Sequence, residues 1–180
     1  IAIDARGDVW VGLFGEQRIV RLRASDGRVT RNLSTFREEF RPYGAAIGSD
    51  GILWMTEAFS GRIFGIDTVT GAAVRDTRVV SSATGCNGSY GIAVDPRNRV
   101  WIAGINCTSV FRFDHATNEW FEVELPDSGA TRGIAADDRG FIYVGASNTY
   151  IRLRVTGLDA GPAIARLTRF RADDGGDIRI

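Results

Sequence analysis

An all-β fold built from repeated four-stranded antiparallel units is predicted for this chain, and three observations carry the prediction. An aromatic residue recurs along the sequence, at Trp10, Trp54, Trp101 and Tyr143. Three residues before each stands Gly7, Gly51, Asn98 or Gly140, the residue types that accept positive φ in a tight turn. No stretch of useful length carries helical periodicity. The aromatics are 44, 47 and 42 residues apart. Four short strands at that period are the signature of propeller blades.

The elements of each unit follow in order. The aligned segments read IAIDARGDVWVG from Ile1, YGAAIGSDGILWMT from Tyr43, YGIAVDPRNRVWIA from Tyr90 and RGIAADDRGFIYVG from Arg132. The first strand is apolar and small, as in Gly44-Ala45-Ala46 and Gly133-Ile134-Ala135-Ala136, which suits a crowded propeller axis. The second strand carries the aromatic, as in Val100-Trp101-Ile102. A third is expected at Arg18 to Leu22, Arg62 to Ile66, Ser109 to Phe113 and about Tyr150 to Arg154. A weaker fourth is expected at Arg28 to Leu33, Ala73 to Val80, Glu119 to Leu125 and Ala163 to Phe170. Turn residues separate the last two: Ser25-Asp26-Gly27, Thr70-Gly71, Ala116-Thr117-Asn118 and Asp159-Ala160-Gly161. The units therefore run over about 1–41, 42–88, 89–130 and 131–170, with a tail over 171–180, in one propeller domain. A lone four-stranded sheet cannot cover both faces, so the four aromatics are expected to wedge between neighbouring blades.

Composition narrows the function classes. The 180 residues are 44% hydrophobic and 24% charged, which is globular composition. Twenty-two basic and 22 acidic residues cancel, so nucleic acid is not the expected partner. No apolar run is long enough to span a membrane. Every basic residue is Arg, the mark of a GC-rich coding genome, and a bacterial source is expected. The chain opens at Ile1 without a charged-then-apolar leader, and any signal peptide is expected to have been removed.

From Pro42 to Gly71 the residues follow a recognisable order. They run Pro42-Tyr43-Gly44, then Asp50-Gly51-Ile52-Leu53-Trp54-Met55-Thr56-Glu57, Gly61-Arg62-Ile63, Ile66-Asp67 and Thr70-Gly71. This resembles the repeats of the virginiamycin B lyase (streptogramin lyase) propellers, and more broadly those of NHL-repeat and gluconolactonase-like propellers. The resemblance implies six or seven blades, so four units are read as part of a larger propeller, with a closed four-bladed form as the lesser alternative. It also implies an elimination that opens a cyclic depsipeptide, using His and Glu side chains with a magnesium ion. This chain has one histidine, His115, in the turn between a third and a fourth strand, on the face opposite the usual site. A histidine pair cannot be assembled, so no catalytic residue carries over, and no cofactor or metal site is expected.

The usual functional face of such a propeller carries the loops that enter strand one and leave strand two. Entry positions are Tyr43, Tyr90 and Arg132; exit positions include Phe14, Glu57, Asn106 and Asn148. Tyr43, Glu57, Tyr90 and Arg132 are expected to converge near the axis and to suit a polar or zwitterionic ligand. Cys86 precedes the first strand of the third unit and Cys107 follows its second. Antiparallel pairing brings both thiols to one face, so a disulfide is expected, and with it a periplasmic or secreted location. Asp137-Asp138 and Asp173-Asp174-Gly175-Gly176-Asp177 resemble calcium loops only in composition and are read as solvated turns. Asn32, Asn87 and Asn106 open glycosylation-type triplets that a bacterial protein carries by chance. Two readings follow. One is an extracytoplasmic propeller module that binds a small-molecule or protein partner on its axial face, with no catalysis of its own. The other is a fragment of a lyase-like or lactonase-like enzyme whose catalytic blades lie elsewhere.

Overall fold

The computed structural model describes residues 1–34, 40–58, 60–81, 86, 88–125 and 129–147, together with the backbone of 149–156 and 163–171. The first sheet is formed by β1 (Ala2–Ile3), β2 (Val9–Leu13), β3 (Arg18–Leu22) and β4 (Val29–Ser34). The second contains β5 (Pro42–Ile47), β6 (Ile52–Glu57), β7 (Arg62–Asp67) and β8 (Ala73–Arg78). The third contains β9 (Ile92–Val94), β10 (Val100–Ala103), β11 (Ser109–Asp114) and β12 (Glu119–Glu124). The fourth contains β13 (Thr131–Ala136), β14 (Phe141–Ala146), β15 (Thr149–Thr156) and β16 (Ala163–Arg171). Strand order in each sheet follows the chain, and every pair is antiparallel. The all-β blade architecture read from the repeat is therefore the observed one. The expected turn at Asp159 to Gly161 and the tail over 172–180 lie outside the described residues.

The first-to-second strand turn repeats its backbone. Gly7, Gly51, Asn98 and Gly140 have φ of 82°, 77°, 60° and 81°. Glycine and asparagine recur there because that left-handed conformation strains other side chains.

The aromatics hold the sheets together in sequence. Trp10 packs in a cluster with Leu53, Met55, Phe64 and Ile66 of the second sheet. Trp54 packs with Ile92, Val100, Ile102 and Phe111 of the third. Trp101 packs with Ile142 and Val144 of the fourth. All three indoles have 0% exposure. Burial of an indole contributes at most about 4–6 kcal/mol from apolar area. The fourth aromatic departs from expectation: Tyr143 is 41% exposed. Its position is the one that meets the following sheet, and among the described residues no following sheet covers it. At the other flank Ile3 is 64% exposed for the same reason. Among the described residues the four sheets stack in sequence, with Ile3 and Tyr143 exposed at the two flanks.

Each aromatic also needs an acceptor for its polar atom. Trp10 Nε1 donates to Asp4 Oδ2 at 3.0 Å, and Trp101 Nε1 donates to Asp95 Oδ2 at 3.0 Å. Tyr143 Oη donates to Asp137 Oδ2, also at 3.0 Å. The other oxygen of each carboxylate accepts amides of the turn: Arg6 and Asp8, Arg97 and Arg99, or Arg139 and Phe141. Asp137 thus serves the turn and the aromatic, as a repeat feature. The second sheet breaks the rule. Gly48 stands in the aspartate position, and Trp54 Nε1 is buried without a partner. Burial works against the Asp4 carboxylate. The Trp10 indole, the Arg6 and Asp8 amides and the Arg21 guanidinium nevertheless hold its pKa below the ordinary value.

Two outcomes are expected. Trp101→Phe removes a made hydrogen bond, whereas Trp54→Phe removes an orphaned donor. In urea unfolding, Trp101→Phe should cost about 1–2 kcal/mol more than Trp54→Phe. The second outcome concerns acid. Because the folded-state pKa of Asp4 is lowered, its contribution is fully present above about pH 4 and is lost as pH falls through the folded value. An Asp4→Asn variant should therefore lose less stability on acidification below about pH 4 than the parent, read by tryptophan fluorescence.

Candidate functional site

The inner strands β1, β5, β9 and β13 lie side by side across the sheet boundaries. Small residues make their approach possible. A Cβ on Gly91 would lie 2.4 Å from the Arg132 carbonyl oxygen, and one on Gly44 would lie 2.7 Å from that of Tyr90. Gly91 N donates to Arg132 O at 3.1 Å, a backbone hydrogen bond between the third and fourth sheets. Hydroxyl groups add further clasps. Thr56 Oγ1 donates to Tyr90 O at 2.7 Å and accepts from Gly44 N at 2.9 Å. Ser89 Oγ donates to Glu57 O at 2.6 Å. Thr131 Oγ1 lies 2.9 Å from Gly104 O and 2.8 Å from Ser109 O, and accepts from Gly104 N at 2.8 Å. Ser89 and Thr131 each stand one residue before an entry residue. Both lie just ahead of the aligned segments, where the second unit has Pro42, so the alignment did not show them.

This spacing lines up the entry residues. The Tyr43 and Tyr90 rings are 4.3 Å apart, and Tyr43 Oη donates to Tyr90 Oη. Phe14, at the exit of β2, meets Tyr43 edge-on at 6.3 Å. The Arg132 guanidinium lies 6.0 Å from the Tyr90 ring centre, and that of Arg41 lies 5.8 Å from Phe14. Arg41, Phe14, Tyr43, Tyr90 and Arg132 thus form one continuous arc drawn from four sheets. Arg41 has no counterpart in the repeat alignment and was not legible there. The bond to Tyr90, burial and the neighbouring phenol raise the Tyr43 pKa, so this hydroxyl stays protonated at neutral pH.

Glu57 lies at the same end of the second sheet, across from Pro42 in the strand register. Its carboxylate accepts from Ser60 Oγ, and among the described residues no ion pair joins it to Arg132. Asn106 is exposed on the same edge of the third sheet, and Asn148 lies outside the described residues. Cys86 and Cys107 are disulfide-bonded, with Cα atoms 5.2 Å apart, so the entry to β9 is tied to the exit from β10.

The far end of the inner strands is different. A cavity of about 330 Å³ is lined there by residues including Gly48, Val94, Asp95 and Asp137. Two of its carboxylates are committed, Asp95 to Trp101 and Arg99 and Asp137 to Tyr143 and the turn amides, and Asp138 is a third in the lining. His115 also belongs to this end, in the turn between β11 and β12. Its Nε2 lies 3.0 Å from Asp50 Oδ2 of the neighbouring sheet, and its ring lies 5.5 Å from Trp54. It is partly exposed there. Among the described residues no three His, Cys, Asp or Glu side chains gather as a metal site, and no helix is long and apolar enough to cross a membrane. The Asp173–Asp177 stretch and Asn87 lie outside the described residues.

These features define an arc of a β-propeller. Among solved structures the chain resembles virginiamycin B lyase from Staphylococcus aureus, with a TM-score of 0.73 and 20% identity over 94% of this chain and 53% of that one. A streptogramin B lyase structure matches with a TM-score of 0.73 and 22% identity, over 94% of this chain and 52% of that one. The WD40 β-propeller domain of Doa1 matches with a TM-score of 0.66 and 16% identity, over 84% and 48% of the two chains. At these identities the likeness is one of fold. The chain spans about half the length of these structures. No protein-family model and no curated protein matches the sequence.

Titration of free thiols in the denatured, unreduced protein should find none among Cys86 and Cys107. Replacing both by Ala should cost about 3 kcal/mol in the chain-entropy model, measured by urea unfolding under oxidising conditions.

Proposed function

We propose that this chain is a propeller module that works outside the cytoplasm and binds a small-molecule or protein partner on its axial face, without catalysis of its own. The observation that carries the reading is the Tyr43–Tyr90–Arg132 arc. Three equivalent positions on successive inner strands converge on one end and present partly exposed rings and a cation. Glu57 stands at the rim of that end. The disulfide supports an oxidising compartment, and with it a periplasmic or secreted setting.

A second reading rests on the fold likeness. The chain can be part of a streptogramin lyase-like or lactonase-like enzyme whose catalytic blades lie outside it. One structure with this fold is a catalytically inactive virginiamycin B lyase with quinupristin. The histidine of this chain favours the binding reading, because it is held by Asp50 at the end away from the arc.

Small ring compounds of mixed charge, screened by NMR against the whole protein, should perturb the rings of Tyr43 and Tyr90. Replacing both tyrosines by Ala should weaken those contacts at least about tenfold, while Asp50→Asn at the far end should leave them unchanged. Quinupristin incubated with the protein should be recovered intact. Recovery of the opened product would favour the enzyme.

A further inference from the structure

We infer that the arc selects an organic anion, a carboxylate carried on a flat ring, and that Arg132 is the group that reads its charge. The inference rests on the reading of the arc as a binding surface and goes one step deeper, to the class of ligand.

The charge at this end is what decides it. An ion pair between Glu57 and Arg132 would make a mixed-charge site suited to a zwitterion, and among the described residues the two form none. The Glu57 carboxylate is taken up by Ser60, and Arg132 makes no ion pair with a described carboxylate. The ladder of rings therefore has a guanidinium at either end, and among the described residues neither is ion-paired with a carboxylate. Arg132 is exposed, but its guanidinium rests beside the Tyr90 ring, which restricts its rotamers. A guanidinium held in this way offers a planar fork of N–H donors that matches a carboxylate in two bonds. The hydrogen-bonded Tyr43–Tyr90 pair lies next to it.

The flat part of the ligand follows from the rings. Phe14 and Tyr43 are 41% and 44% exposed, and they meet edge-on rather than covering one another. Exposed aromatic surface on Tyr43, one ring away from the Arg132 guanidinium, suits a planar anion, which stacks on the one and pairs with the other. A cation of the same shape gains the stacking but meets the field of Arg132.

Benzoate and benzamidinium make the test, since they share a shape and differ in charge. Each is titrated into the whole protein while the Tyr43 and Tyr90 ring signals are followed by NMR. Benzoate should bind at least about tenfold more tightly than benzamidinium. Arg132→Ala should remove about that factor for benzoate, Arg132→Lys should restore only part of it, and Arg132→Glu should reverse the preference. These variants keep the backbone carbonyl that accepts from Gly91, so the inner-strand contact is retained. Equal or tighter binding of benzamidinium at the two tyrosines overturns the anion assignment and leaves the binding surface standing. Benzoate binding that is indifferent to Arg132→Ala overturns the role of that residue. Failure of both compounds to move either tyrosine overturns the anion assignment and the surface together.

Discussion

The indoles of Trp10, Trp54 and Trp101 lie fully buried between one sheet and the next, and the rest of the structure is arranged around covering them. A four-stranded sheet has two apolar sides and no means of hiding both. Stacking sheet on sheet hides them, provided each wedge is large and its polar atom is satisfied. The aspartate at the end of the first strand meets the second condition for Trp10, Trp101 and Tyr143. In the second sheet both usual neighbours of the wedge are glycines. Gly48 replaces the aspartate, and Gly65 stands opposite Trp54 where Arg21 and Arg112 stand opposite Trp10 and Trp101. A Cβ on Gly65 would lie 3.0 Å from the Trp54 ring, so the indole has moved into space that the other sheets give to side chains.

Much of this was legible in the sequence because the repeat records what is common to the sheets. The spacing gave the strand order, and the turn residues gave the positive-φ sites. Shared positions also placed Tyr43, Tyr90 and Arg132 at one end of neighbouring inner strands. What the repeat does not record are contacts between unlike positions. The His115–Asp50 pair joins a third-to-fourth strand turn to a first-to-second strand turn in another sheet. Arg41 meets Phe14 from a position, two before the entry residue, where the other units carry Gly88 and Ala130. Tyr143 misled in the opposite way: its repeat position marks a wedge, but burial depends on a sheet beyond it.

The arc at the entry end is a by-product of the same packing. Inner strands approach closely because Gly44 and Gly91 leave no Cβ in the way. That approach sets the distance between Tyr43 and Tyr90, and brings Arg132 beside the second ring. The stiffness of the arc is therefore borrowed from the backbone beneath it. The hydroxyl clasps of Thr56, Ser89 and Thr131 fix the same strands just behind the arc. A surface supported this way loses little freedom when it is occupied, which favours affinity from few contacts.

Among the described sheets the packing is graded. The second and third are packed on both sides, while Ile3 of the first and Tyr143 of the fourth are exposed. Each sheet packs against its sequence neighbours, so cooperativity passes between them as in a linear array, and within this set the middle pair is the most strongly supported. The disulfide lies in the third sheet, where it ties the entry of β9 to the exit of β10 and so reinforces a part already held from both sides.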